Sequence, residues 1–295
     1  MSITRRDFMK LGLVGAGIGA LASLGVALPA SADTIGKVED ITDAVSISIL
    51  KTEESNARWT MSSDVEKKAF YGGQGFFIKN PQRNKTYTKP LVVRYVGAGH
   101  DGGSRSVDVE VTFDTVRFVY DYDSDGIDGL FAAFMKGQFP NDGGGIQKWD
   151  DGLTFKMEDG GEIHFTIRYY YTDTGEEVKG RRSVVVFRDV DWPGYGTTEW
   201  GPYSWSGYAE SIKPESGVVK TYTSTNSLLK VDSGAYVGTQ ETTTLDGIWR
   251  SGVAFVTNGT FAGTWRGFHC HTLLGLYFEG QSFGGIKLQK SDSAL

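Results

Sequence analysis

Apolar and polar positions alternate with period two in several separate stretches of this chain. Val45-Ser46-Ile47-Ser48-Ile49 alternates, as do Val107-Asp108-Val109-Glu110-Val111-Thr112-Phe113 and Ile163-His164-Phe165-Thr166-Ile167-Arg168-Tyr169. Successive residues of a strand point to opposite faces, so this period predicts half-buried strands. In the second stretch the acids and Thr share one face. Val184 to Phe187 is a continuous apolar run, and Val116 to Tyr120, Val218 to Thr223, Gly252 to Val256 and Leu273 to Phe278 are further strand candidates. Turn signals stand between them at Asp101-Gly102-Gly103, Asp159-Gly160-Gly161, Asp173-Thr174-Gly175 and Asn258-Gly259. Two stretches predict short helices. Ser62 or Ser63 caps a turn reaching Phe70, with Glu66 in its first turn. Asp128 caps Gly129 to Lys136, where Leu130, Phe131, Phe134 and Met135 form an apolar face and Gly137 ends it. Neither is long enough for a βαβ crossover. The pattern therefore reads as all-β: a single antiparallel β-sandwich with one or two short helices.

Composition supports many strands joined by tight turns: 40 Gly and only 7 Pro in 295 residues, with 13% aromatic residues. That length suffices for one large core, and no internal repeat or Pro- or Ser-rich linker divides it. The single cysteine, Cys270, excludes an intrachain disulfide; a domain of this size needs none. Lys and Arg number 30 against 36 Asp and Glu, a formal charge of −6, and no stretch forms a basic run. Neither nucleic acid nor an anionic lipid surface is expected as a partner.

The N-terminus names a compartment. Thr4-Arg5-Arg6-Asp7-Phe8-Met9-Lys10 places two arginines before the uncharged run Leu11 to Leu28, and Ala30-Ser31-Ala32 puts small residues before Asp33. This order resembles a twin-arginine signal peptide. The resemblance implies residues 1–32 as leader, residues 33–295 as the exported β-sandwich domain, and an extracellular or cell-surface location. Contact with a membrane is expected only through this segment, if it stays uncleaved.

A second resemblance lies further along. Phe165-Thr166-Ile167-Arg168-Tyr169-Tyr170-Tyr171-Thr172-Asp173-Thr174-Gly175-Glu176-Glu177-Val178 is followed by Val184-Val185-Val186-Phe187-Arg188-Asp189-Val190-Asp191. A strand, an Asp-x-x-Thr-Gly-like turn with a following Val, and a strand ending in Phe-x-Asp-x-Asp resemble a hairpin of adhesin-type modules from Gram-positive, including actinobacterial, surface proteins. It implies a jelly-roll-like sandwich and a non-catalytic, adhesin-like binding module whose ligand is an extracellular glycan or a surface protein. In some such sandwiches a Lys is crosslinked to Asn or Asp; the sequence selects no pair.

Four constellations could carry chemistry. The segment Trp192 to Tyr208 concentrates aromatic residues among Gly and Pro, which predicts a surface loop. Trp192, Tyr195, Trp200, Tyr203 and Trp205 offer flat faces, and Glu199 an oriented acceptor, as a sugar or a protein partner requires. Folded inward, the same rings would be a lid on the core. Asp121-Tyr122-Asp123-Ser124-Asp125-Gly126 resembles the first half of a calcium loop, with Asp128 as a further oxygen ligand; Ala132 stands where the bidentate Glu of such a loop belongs. His269-Cys270-His271 carries copper-type ligands, but a blue-copper set would need His100 or His164 to converge on it. The alternative function is a glycan-active enzyme on a jelly-roll scaffold, with Asp189, Asp191 and Glu199 lining its cleft. No nucleophile elbow or zinc-protease motif is present, and no cofactor other than calcium is expected.

Overall fold

The computed structural model describes residues 47–49, 52–70, 72–119, 126–134, 137–140, 146–149, 152–157, 159–190, 209–224, 226–240, 250–267, 270–275, 282–283 and 286–287. The twin-arginine segment lies outside them. The described elements begin with β1 (Ser48–Ile49), a 3-10 turn (Glu54–Asn56), β2 (Ala57–Met61), β3 (Val65–Phe70), β4 (Gly73–Ile78), β5 (Thr86–His100) and β6 (Ser106–Phe118). They continue through β7 (Leu130–Phe134), β8 (Gly137–Pro140), β9 (Ile146–Trp149), β10 (Leu153–Met157), β11 (Gly161–Tyr171) and β12 (Arg182–Arg188). The last strands are β13 (Ser211–Thr223), β14 (Leu229–Asp232), β15 (Ala235–Gly238), β16 (Val253–Gly267), β17 (Cys270–Gly275), β18 (Ser282–Phe283) and β19 (Ile286–Lys287).

Hydrogen bonding runs along one path, β1-β5-β6-β11-β16-β12-β17-β10-β7-β4-β3, with β2 beside β5 and β13 beside β16. Every strand pair on this path is antiparallel, and the path folds back on itself at β16. Residues Phe261 to Gly267 of β16 pair with β11, while Val253 to Asn258 pair with β12. One long strand thereby joins two layers: β1, β2, β5, β6 and β11 on one side, and β12, β17, β10, β7, β4 and β3 on the other. The expected turn at Asn258-Gly259 is this corner. It lies inside β16, where Gly259 at φ +91° gives the strand its bend.

The core between the layers is aromatic. Phe155 of β10 faces Phe165 at 4.8 Å, Phe113 at 5.4 Å and Trp265 at 6.1 Å, all from the opposite layer. Trp59 meets Phe76 at 5.8 Å and Tyr95 meets Phe134 at 6.3 Å nearer the β2–β3 edge. Tyr95, Phe113, Phe165 and Trp265 sit at alternate apolar positions of β5, β6, β11 and β16, so period-two patterning is what aims these four inward. All but the partly exposed Trp59 are essentially fully buried. Each such side chain contributes about 1.5–3 kcal/mol through burial.

Neither expected helix forms. Val65–Phe70 is an edge strand: Lys67 and Lys68 are good helix formers, but here their stems lie along the sheet edge and their ammonium groups sit over the Trp59 and Phe77 rings, at 4.8 and 5.0 Å. Leu130–Phe134 is a central strand, hydrogen-bonded to β4 and β10 and buried at every position. An apolar run buried on both faces has no period to distinguish strand from helix. Asp128 does not cap a helix; its Oδ1 accepts the Leu130 N–H at 2.9 Å and holds the turn into β7.

The two layers differ on their outer faces. On the β5-β6-β11 side those positions are polar. On the other side Thr154, Val184, Val186, Ala254, Val256 and Tyr222 are all at most 3% exposed, so that layer is buried on both faces around β10, β12 and the first half of β16, while β3 keeps an exposed edge. This explains the continuous apolar run Val184 to Phe187, which a one-sided strand would not carry.

Candidate functional site: the open face and the basic edge

The aromatic segment falls outside the described residues, and with it Trp192, Tyr195, Glu199, Trp200, Tyr203, Trp205 and Asp191. Its two stems are described and firmly held. Val190 is fully buried and donates its N–H to the Ser251 carbonyl at 3.1 Å; Glu210 is fully buried and its carbonyl accepts the Gly238 N–H at 3.0 Å. Phe187 stands opposite Val253 and Ser211 opposite Arg266, so the stems are anchored toward opposite ends of β16. Asp189 follows β12 at φ +63° and is 5% exposed. It turns the chain away from the strand and offers no open carboxylate to a cleft.

Asp121, Asp123 and Asp125 also lie outside the described residues. Asp128 is described: besides holding Leu130, it donates its own N–H to Asp159 Oδ2 at 2.8 Å. His269 lies outside; Cys270 and His271 stand opposite Met157 and Lys156 on β17. His100 stands opposite Ser48 at the end of β5. His164 belongs to the other layer, where it is engaged with Glu215, so it does not converge on the triplet. Among the described residues, no group of three or more His, Cys, Asp or Glu is placed to hold a metal ion.

The open face of β5, β6, β11 and β16 is a grid of matched charges. Arg94, Glu110 and Arg168 are in register across three strands. Asp108, 4% exposed, accepts from Arg94 Nε at 3.0 Å, the Gly97 N–H at 2.8 Å and Thr172 Oγ1 at 2.6 Å. Glu162 is clamped by Arg117 at 3.4 Å and Arg266 at 3.2 Å. Two bulges aim acids onto this face. Asp114 is the extra residue of β6 and accepts from Thr166 Oγ1 at 2.5 Å; Glu215 is the extra residue of β13, accepts from Thr264 Oγ1 and lies 3.0 Å from His164 Nδ1. Bulges re-aim side chains in this way. Acids and bases are thus interleaved across the face, and its acids are held by an arginine, a hydroxyl or the His164 ring beside them.

At the end of this face, the Arg105 guanidinium stacks 3.4 Å over the Tyr171 ring and bonds Asp173 at 2.8 Å. That hydrogen bond holds the Asp173 carboxyl below the usual aspartate range and raises Arg105. In the core, burial pushes the Tyr169 phenol up to about 12, against a smaller opposing effect of the Ser183 hydroxyl. Burial raises Tyr95 further still. These phenols are structural, sealed between the layers.

Sequence reasoning missed one surface. Lys67, Lys68, Lys79, Arg83, Lys85 and Lys89 are all exposed, and the only acids between Trp59 and Val93 are Asp64 and Glu66. No run of basic residues marks them, because apolar strand positions separate them. The fold gathers them. Lys79 donates its backbone N–H to the Asp64 carbonyl at 2.7 Å, Ser62 to that of Pro90 at 2.9 Å and Asn84 to that of Phe118 at 2.7 Å. The β2–β3 turn, the β4–β5 connection and the Lys89-Pro90 bend are thus stitched into one end of the sandwich. Lys67 and Lys68 continue it along the β3 edge. Counting charge in a window of some thirty residues, rather than seeking a run, would have found it.

No protein-family model matches this chain, and no curated protein matches its sequence. Among solved structures, the N-terminal domain of the Streptococcus gordonii adhesin Sgo0707 matches at a TM-score of 0.56 and 13% identity, over 79% of this chain and 61% of that one. The chain thus spans less than two thirds of that domain's length. The adhesin domain of PrgB from Enterococcus faecalis matches at 0.41 and 11% identity when bound to DNA, over 70% of this chain and 69% of that one. Another structure of that domain matches at 0.38 and 12%, over 77% and 64%. At those two scores nothing about a ligand follows for this chain. What the described residues and the streptococcal likeness establish together is the fold: an antiparallel β-sandwich of the kind found in a bacterial adhesin domain.

Proposed function

We propose that this chain is an exported, non-catalytic, adhesin-like binding module whose ligand is an extracellular glycan or a surface protein. The observation that carries the reading is the sandwich itself, matched over most of the chain to an adhesin domain. The leader pattern around Arg5 and Arg6 supports export by the twin-arginine route, with residues 33–295 as the working domain. The segment Trp192 to Tyr208 is the proposed ligand-facing surface, because rigid rings gain contact area at small ordering cost. Calcium at Asp121, Asp123, Asp125 and Asp128 is a second part of the proposal, motivated by carboxylates at alternate positions.

The test is a glycan array and a panel of surface proteins probed with the protein lacking residues 1–32. Retention of one class without turnover is expected. Trp200→Ala should weaken that retention about fivefold or more, the effect of losing an aromatic anchor worth about 1 kcal/mol. Turnover of a glycan, abolished by Asp191→Asn, would replace this reading with the enzymatic one.

A further inference from the structure

We infer that the basic end and edge formed by β2 to β5 is a docking surface for a flexible phosphodiester polymer that carries no bases. It is a separate surface from the proposed aromatic one, and four observations carry it. The chain is acidic overall, yet the stretch from Trp59 to Val93 carries six basic residues, all exposed, against two acids. The heads of Lys67 and Lys85 are held over the rings of Trp59 and Tyr87, each at 4.8 Å, so part of their ordering is complete before any ligand arrives. Five of the six basic residues are lysines, point charges without the fork that reads a guanine edge, and the sixth, Arg83, has its Nε engaged by the Val119 carbonyl at 2.8 Å; the surface is made of strands and turns, with no helix to enter a major groove. The rings beside the lysines are already covered by them, and Tyr87 is only 3% exposed, which leaves no platform for stacking bases. What remains is attraction to a chain of phosphates through counterion release.

Shape selects the flexible polymer over a duplex. Lys79, Lys85 and Lys89 lie at the end of the sandwich, and Lys67 and Lys68 around the corner on the β3 edge. A duplex, stiff over about 50 nm, meets one of these groups at a time. A polyol-phosphate chain bends round both. Part of the charge is met locally: Glu66 lies 2.6 Å from Lys68. The end group of lysines therefore dominates.

The experiment is fluorescence anisotropy of labelled poly(glycerol phosphate) and of a 30-base-pair duplex against the protein lacking residues 1–32, from 50 to 300 mM NaCl. The expected result is binding of poly(glycerol phosphate) tighter than of the duplex, with affinity falling steeply in salt. Lys79→Glu/Lys85→Glu/Lys89→Glu should weaken it at least tenfold and reduce the salt slope by about 2, from three phosphate contacts at about 0.7 each. Lys89→Glu alone keeps the test open if the triple variant misfolds; it should weaken binding about threefold. Lys220→Glu, on β13, should change nothing. No binding at 50 mM salt, an unaffected triple lysine variant, or a duplex bound as tightly would each overturn the inference.

Discussion

Phe155→Ala is expected to lower the free energy of unfolding by about 3–5 kcal/mol, the range for deleting a buried Phe. The magnitude follows from where the ring sits. Phe155 is fully buried and contacts Phe165, Phe113 and Trp265 across the interlayer space, and Phe187 at 6.1 Å within its own layer. Aromatic pairs of this kind contribute about 0.5–1.5 kcal/mol each beyond the area they bury. The four partners cannot all move to fill the space, because each belongs to a strand fixed by pairing on both sides. The loss should therefore lie in the upper half of the range. Urea unfolding followed by Trp fluorescence and by circular dichroism measures it, with coincident transitions as the check on two-state behaviour. Phe155→Leu should cost about 1–2 kcal/mol. Val231→Ala, 64% exposed, should stay within about 0.5 kcal/mol. A loss below about 1.5 kcal/mol for Phe155→Ala would mean that the two layers do not meet at this ring, and would refute the packing described above.

Gly217→Ala should destabilise by about 2 kcal/mol or more, seen as a lower melting temperature: Gly217 sits at φ +86° and a Cβ there would lie 1.9 Å from the Thr260 carbonyl oxygen. Asp173, lowered by its bond to Arg105, contributes stability that is complete above the unfolded aspartate value, about 3.9, and is lost as pH falls through the folded one; melting curves of Asp173→Asn should show the smaller acid dependence, and parallel curves would refute the pairing. Tyr169 and Tyr95 keep their protons in the folded state above the unfolded phenol value, about 10. Stability tied to them is complete below that pH and lost as pH rises toward 12, so absorbance at 295 nm should rise late and together with unfolding. If calcium occupies the Asp121 to Asp128 loop, the melting temperature should rise with calcium and fall with chelator, because the ion binds the native state; no shift at millimolar calcium would remove it.

Local pattern carried much of this structure. Val107 to Phe113 and Ile163 to Tyr169 were legible as strands because one face is core and the other is the charged grid, which imposes period two. The turns at Asp101, Asp159 and Asp173 were legible because Gly and Asp meet their backbone demands within a few residues. What failed was whatever the local sequence underdetermines. Leu130 to Phe134 is apolar throughout, and only placement between β4 and β10 makes it a strand. Val65 to Phe70 has helical composition, overridden by its pairing with β4 and by rings that receive its lysines. Asn258-Gly259 has the residues of a turn, but β16 has partners on both sides of that point, so the chain bends there and pairing resumes. The first residues of β13 carry Pro214 and Gly217, which suggest a loop; β16 supplies the partner, and bulges absorb the misfit. The same division holds for the surface. Sequence alone determined an all-β sandwich, a cluster of aromatic residues and an N-terminal pattern that resembles an export leader, because each is written in consecutive residues. The basic end was decided by tertiary structure, because its lysines are spaced by the strands between them and become neighbours only when β2 to β5 fold against one another.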